Sequence, residues 1–539
     1  MQTYVENTKP SKKTKAAEPQ KAASSSTTSE SEKGLLLEYE HMFFAMDTDG
    51  DGLVACEDLL SKIDEVGISK TDSRIVKAVG TLRQMPSKID LTQFKALIDG
   101  GGSLLKNILQ NRMIIPDFPL LCRDIEEIFN QVKTNRAGEV ANYIPQLGRV
   151  DPEQFAVSVT TVSGQRFSLG DATTDFCLQS VSKPINYCLA LEEHGSDVVH
   201  KHIGREPSGR GFNELSLNNN GLPHNPMINS GAIMSCSLIR PQLNLADRFD
   251  YILKQWSRLS GNARIGFNNP VYLSERETAD RNFALGYFMR EKGAFPENTN
   301  LVQTLEFYFQ CCSIDVNSEF LSVAAASLAN GGVCPTTGEK IFSSMTVQHC
   351  LSLMGSCGMY DFSGEFAFSI GLPSKSGVSG AVLVVIPNVM GIAIWSPRLD
   401  SHGNSVRGIE FCQKLVERFN FHVYDNILVG SSNKKDPRLK KNSSQIEGIV
   451  QLCWACSQGD LSEVQRLVAS GINPDWADYD GRTPLHLAAS DGQAHVVKYL
   501  ISKSVNIAPT DRWGGTPYSD AKRGSKKEVI EVFENLAAA

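Results

Sequence analysis

Arginine is absent from the first 33 residues of this 539-residue chain, and large apolar side chains are nearly so. Ser, Thr, Lys and Glu dominate instead, a composition that cannot bury a core and predicts a disordered tail over 1–33. Lacking arginine and carrying Glu6 near its start, the tail also misses the pattern of a mitochondrial transit segment. No apolar run is suited to crossing a bilayer: the most apolar stretch, 381–395, is broken by Pro387-Asn388 and rich in Val and Ile, which predicts two buried strands around a turn. Excess basic charge is missing too. With 53 Lys and Arg against 60 Asp and Glu, net -7, the chain has no electrostatic footprint for nucleic acid. Its 13 cysteines are odd in number and irregularly spaced, which excludes a secreted disulfide framework and points to reduced thiols inside a cell. Cys453 and Cys456 form a C-x-x-C without a second pair and read as helical core, as do Cys311-Cys312.

What is present is an ordinary globular composition, 41% hydrophobic, and length for about three domains. From Leu36, Tyr39 and Phe43 an amphipathic pattern leads into Asp47-Thr48-Asp49-Gly50-Asp51-Gly52-Leu53, continuing to Asp58. Oxygens from Asp47, Asp49 and Asp51, a turn glycine at Gly52, the Leu53 carbonyl and Asp58 at the twelfth position fit an EF-hand loop. Aspartate in place of the twelfth glutamate reaches less well, weakening calcium relative to magnesium. Lys88 to Phe94 fits the exit of a partner hand that has lost its carboxylates, and Gly100-Gly101-Gly102 is expected to close this all-α domain, 34–104.

Residues 110–425 alternate apolar strands, glycine turns and amphipathic helices, as an α/β or α+β domain does. A hairpin with a Ser163-Gly164 turn is expected at 155–171, and a second at 381–395. A polar linker, 426–447, then precedes a repeat. Gly481-Arg482-Thr483-Pro484-Leu485-His486 carries the ankyrin T-P-L-H signature, and Thr516-Pro517 follows Thr483-Pro484 at the same 33-residue step that relates Leu467, Leu500 and Phe533. Three all-α units over 448–539 follow, with His486 as the hydrogen-bonding histidine of its turn and a face suited to a protein partner.

Between the hairpins stands Leu178-Gln179-Ser180-Val181-Ser182-Lys183-Pro184, opening an apolar helix. A serine and a lysine three apart at a helix start share one face, so the amine can reach the hydroxyl. A serine hydroxyl becomes a nucleophile when a neighbour removes its proton, and burial lowers a lysine's pKa enough for that task. Ser182 lies two residues off this face, so its removal is expected to leave activity largely intact. Downstream, Lys375-Ser376-Gly377-Val378 is similar to the K-T-G strand of penicillin-binding proteins and β-lactamases, where an edge strand would set the Val378 N–H opposite Ser180. No S-D-N motif accompanies it, which disfavours a β-lactam-recognising enzyme.

The stretches Tyr143-Ile144-Pro145-Gln146-Leu147, 223–232 around Asn229-Ser230-Gly231, 274–282 from Ser274-Glu275 to Arg281-Asn282, Phe307-Tyr308-Phe309-Gln310 and 356–364 around Tyr360 occur in one order. Over 110–425 they closely resemble the glutaminases, and the flanking modules resemble those of the animal kidney- and liver-type enzymes. The resemblance implies a serine β-lactamase-like fold that hydrolyses L-glutamine to L-glutamate and ammonia without a catalytic cofactor. It implies Ser180 as nucleophile, Lys183 as base and Tyr360 as second proton relay, with Asn229, Glu275, Asn282, Tyr308, Tyr143 and the Val378 backbone around the substrate. It further implies a homotetramer, and a mitochondrial location that the tail does not favour over a cytosolic one. Loop 206–217 carries Glu214 where the animal enzymes carry lysine, which argues against phosphate activation, and Ser216 as in the liver type. An ankyrin-based binding protein with an inactive middle domain would have no reason to keep Ser180, Lys183, Glu275 and Tyr360 together.

Overall fold

The computed structural model describes residues 39–538 apart from 41, 48, 210, 212, 213, 426–433, 440–442, 470 and 471, so the tail and half of the linker lie outside the described residues. Two short helical hands open the chain. Val54–Ala55 pairs antiparallel with Lys88–Ile89, and each two-residue strand leads towards a helix, Cys56–Glu65 and Leu91–Leu109. The second helix is set by a reciprocal capping box, Asp90 accepting from the Gln93 N–H while the Gln93 side chain accepts from Asp90. Gly100-Gly101-Gly102 does not end it: the helix runs on to Leu109 across a kink at Gly102, whose φ of 70° is open to glycine alone at low cost.

The middle region is built on a five-stranded antiparallel sheet. Its strands are β1 (Ala156–Thr161), β2 (Arg166–Gly170), β3 (Ser374–Ser376), β4 (Ala381–Ile386) and β5 (Met390–Trp395), in the order β2-β1-β5-β4-β3. Both expected hairpins form, with Thr160 opposite Arg166 and Ile386 opposite Met390. Helices cover both faces, which is why β4 reads as an unbroken apolar run: Ala381, Leu383 and Val385 enter one core, Val382, Val384 and Ile386 the other. The second core is closed by α1 (Phe118–Val132) and α8 (Val406–Arg418).

The first core is closed by α2 (Ser182–His194), α3 (Asn229–Leu238), α6 (Leu301–Cys312) and α7 (Ser318–Ala329), with α4 (Asn269–Glu277) and α5 (Asp280–Glu291) outside them. Small residues let α7 press on the sheet, and a Cβ on Gly391 of β5 would stand 2.1 Å from the Ala326 nitrogen. Ser318 and Ser322 pair with Ser158 and Thr160 at 2.8 Å each, so the polar residues of β1 are satisfied there.

The N-terminal hands dock on the β1–β2 turn. Gln165, fully buried, accepts from the Ile115 N–H at 3.2 Å and donates to the Val66 and Ile115 carbonyls at 3.1 and 3.0 Å. At the other end, Leu452, Val464, Leu467, Leu500 and Phe533 share one core of stacked helices, as the 33-residue period requires. His486 Nδ1 accepts from the Thr483 N–H at 3.1 Å, which leaves Nε2 to donate to the Gly515 carbonyl at 3.2 Å. Cys453, Cys456, Cys311 and Cys312 are all buried core thiols. Among the described residues no helix is long and apolar enough to cross a membrane.

Candidate active site

Ser180 lies in a single 3-10 turn, Gln179–Val181, that runs directly into α2. The turn is held in an unusual shape, with Gln179 at φ 48° in the left-handed region that non-glycine residues rarely occupy. Ser182 is buried behind it and its hydroxyl donates to the Gln179 carbonyl at 2.8 Å. The serine expected to be inert therefore braces the turn.

Lys183, one helical turn beyond Ser180, is completely buried and its Nζ donates to Asn229 Oδ1 at 2.7 Å. Burial lowers its pKa to about 8, against the pull of the Cys312 and Cys236 thiols. Asn229 opens α3, and its Nδ2 donates to Asn282 Oδ1 of α5 at 3.2 Å. Gly231 lets this helix start sit close: a Cβ there would be 1.9 Å from the Asn225 carbonyl oxygen.

Tyr360 is buried and, like Gln179, left-handed, with φ 53°. Burial raises its phenol above the ordinary value, opposed by hydrogen bonding with Ser180 and the Val378 N–H. Two close approaches bring these groups together. A Cβ on Gly377 would lie 2.9 Å from the Leu178 carbonyl oxygen, and one on Gly358 would lie 1.8 Å from that of Ser374. The end of edge strand β3 is thus pressed against the serine turn on one side and the Tyr360 turn on the other. Lys375 of β3 is fully buried, donates to the Gly358 and Ser376 carbonyls at 3.0 and 2.7 Å, and lies 4.4 Å from the centre of the Tyr360 ring. Burial, then the neighbouring Lys183 charge, push its pKa far down.

Glu275 of α4 is buried opposite this group. It accepts from the Tyr143 hydroxyl and from Gln179 Nε2, the latter at 3.1 Å. Burial raises its carboxyl pKa and those two donors restrain the rise. Tyr143 keeps half its ring in solvent while its hydroxyl reaches inward. Tyr308 of α6 is buried beside Cys312, whose thiol burial and Glu275 raise to about 12 while Lys183 pulls it back. A cavity of about 500 Å³ is lined by Tyr360, Met227, Ile228 and loop residues Pro207, Ser208, Gly209 and Gly211. Arg210, Phe212 and Asn213 of that loop lie outside the described residues, and the exposed Glu214 accepts from the Gly211 N–H of the same loop at 3.1 Å.

Of the nine residues expected here, Lys183, Asn229 and Asn282 are joined by hydrogen bonds, as are Tyr143 and Glu275. Tyr360 meets Ser180 and the Val378 N–H, and Tyr308 lies beside Cys312. Tyr360 lines the cavity above and Val378 a separate one. Gln179 and Cys312 join them without having been singled out as site residues: the first needs a left-handed backbone to face Glu275, the second a helix packed on Lys183. Neither carries a local motif.

In the N-terminal loop the Asp47, Asp49 and Asp51 carboxylates gather within 4.8 Å of one another, a donor set that fits a divalent cation. Asp58 is exposed in the first turn of helix Cys56–Glu65, outside that trio, and Leu53 donates its N–H to Asp51 Oδ1 at 2.9 Å.

A helix-covered antiparallel sheet with a serine, a lysine and a tyrosine buried at its edge defines a β-lactamase-like fold. Residues 138–424 match the glutaminase family model, 39–116 an EF-hand domain and 426–534 ankyrin repeats. Putative glutaminase 2 of Caenorhabditis elegans is 46% identical over 493 residues, covering 88% of this chain and 81% of its own length. The mitochondrial glutaminase liver isoform of Mus musculus is 42% identical over 512 residues, covering 94% and 85%. The solved structure of a probable glutaminase, ybaS, is similar with a TM-score of 0.55 at 34% identity, over 57% of this chain and 99% of its own. The chain belongs to the glutaminase family.

Proposed function

We propose that this glutamine amidohydrolase, which converts L-glutamine to L-glutamate and ammonia, works through an acyl-enzyme on Ser180. The observation that carries the reading is the burial of Lys183 beside the serine turn, with a pKa lowered to about 8. About one amine in ten is then neutral at pH 7 and able to take the serine proton. Ser180 Oγ attacks the side-chain amide carbon, and the tetrahedral oxyanion rests on the Ser180 and Val378 N–H groups. Tyr360 relays a proton to the departing nitrogen, the C–N bond breaks, and ammonia leaves. Water then attacks the γ-glutamyl ester, giving glutamate and restoring the hydroxyl.

Substrate selection follows from charge. Glu275 pairs with the α-ammonium, while Asn229, Asn282 and Tyr308 hold the α-carboxylate and Tyr143 lines the entrance. Lys375 fixes the Gly358 carbonyl and the Tyr360 ring as a positioning residue. No step needs a metal: Asp47, Asp49 and Asp51, with the Leu53 carbonyl and Asp58, would hold calcium or magnesium far along the chain from Ser180, where the ion supplies structure alone.

The liver-isoform relatives, named as mitochondrial, support a mitochondrial site of action; a homotetramer is the assembly that the family resemblance implies. The ankyrin units support a protein partner. Glu214 accepts from the Gly211 N–H of its own loop and puts a carboxylate where the animal enzymes carry lysine, which speaks against phosphate activation through that position. Ammonia release from L-glutamine by the full chain, with Ser180→Ala as control, tests the proposal; no release at any phosphate concentration overturns it.

A further inference from the structure

We propose that Lys88 is the resident counter-cation of the N-terminal carboxylate loop and must leave before a divalent ion can enter. Its Nζ lies 3.0 Å from Asp49 Oδ2 and also pairs with Asp51 Oδ2. Backbone register puts it there: Ala55 faces Lys88 and Val54 faces Ile89 across the two-strand bridge. Val54 and Ile89 are both fully buried, so the lysine's backbone is anchored while its side chain reaches out over the loop of the other hand.

The oxygens it takes are the ones an ion would need. Asp49 Oδ1 accepts from the Asp51 N–H at 3.3 Å and Asp51 Oδ1 from the Leu53 N–H at 2.9 Å, while both Asp47 oxygens accept from glycine N–H groups at 2.9 and 3.0 Å. Each of Asp49 and Asp51 therefore has one oxygen left to face inward, and Lys88 holds both. Three carboxylates within 4.8 Å repel one another, and one ammonium offsets part of that repulsion. A divalent cation offers more charge at the same place, so the two compete for the same oxygens. The hand is held closed without metal, and metal affinity is reduced by the fraction of loops in which Lys88 is seated.

Calorimetry of the full chain with calcium chloride and, separately, magnesium chloride tests this. Two exposed ion pairs set the scale of competition, so Lys88→Met should bind calcium about three- to tenfold more tightly than the wild type. Lys88→Arg, which keeps the charge, should stay near wild type. Equal affinity of Lys88→Met and wild type, or no calcium heat from Lys88→Met, overturns the proposal. A second reading needs no variant: acetylation of Lys88 in the wild type, followed by peptide mass spectrometry against exposed Lys77, should speed up several-fold at saturating calcium. Unchanged Lys88 labelling overturns it.

Discussion

The Ser182 hydroxyl donates to the Gln179 carbonyl at 2.8 Å, so the serine beside the nucleophile turn holds the strained residue that precedes the nucleophile. Loss of this buried hydrogen bond costs about 1–3 kcal/mol when the carbonyl is left without a partner. Ser182→Ala should therefore lower the thermal midpoint and reduce kcat by roughly tenfold or less. Ser180→Ala should keep the midpoint and lose ammonia release altogether. Equal kcat losses in the two variants would contradict the assignment.

Glu275→Gln keeps the size and the hydrogen-bonding capacity of the side chain but removes the charge set for the substrate ammonium. Charged hydrogen bonds are worth roughly 1.5–3 kcal/mol, which makes the expected fall in kcat/KM about ten- to a hundredfold, carried mostly by KM. Steady-state kinetics with L-glutamine measure it. A change confined to kcat would place Glu275 in the chemical step instead.

The pH dependence follows from Lys183. Burial lowers its pKa from the ordinary value to about 8, so the base form is the minority below that pH and the majority above it. On the acid side kcat/KM should fall by about tenfold per pH unit below about 8, and flatten above. Lys183→Arg should be inactive at every pH, because guanidinium does not deprotonate. A profile flat from pH 6 to 9 would rule out Lys183 as the base.

Gln165→Ala should loosen the N-terminal hands from the sheet. The substitution strands the Val66 carbonyl and both backbone groups of Ile115 in a buried joint, at a cost of about 3 kcal/mol or more. Amide exchange should rise across Leu91–Leu109 before it rises in β4 and β5. Unchanged protection there would mean that the joint holds through its apolar contacts alone.

Regular features of the fold were readable because each has a period or a composition. Leu467, Leu500 and Phe533 keep a 33-residue step because each repeat packs on the next, and β4 is apolar without alternation because both its faces are covered. Site motifs around Ser180, Asn229, Glu275 and Tyr360 were readable by likeness. Relationships across the fold were not. Gly100-Gly101-Gly102 reads as a terminator, yet flanking apolar residues Leu97, Ile98, Leu104 and Leu105 pack in one core and carry the helix through. Gln179 meets Glu275 through a left-handed backbone that no local pattern announces, and Lys88 meets Asp49 only through pairing between the hands.

The central claim, a covalent γ-glutamyl ester on Ser180, is tested most directly by acid-quenching the full chain during turnover of L-glutamine and mapping the adduct by peptide mass spectrometry. The account predicts a γ-glutamyl mass increment on the peptide carrying Ser180, localised to that serine and absent from Ser180→Ala. Turnover that persists in Ser180→Ala, or an adduct on another residue, would contradict it.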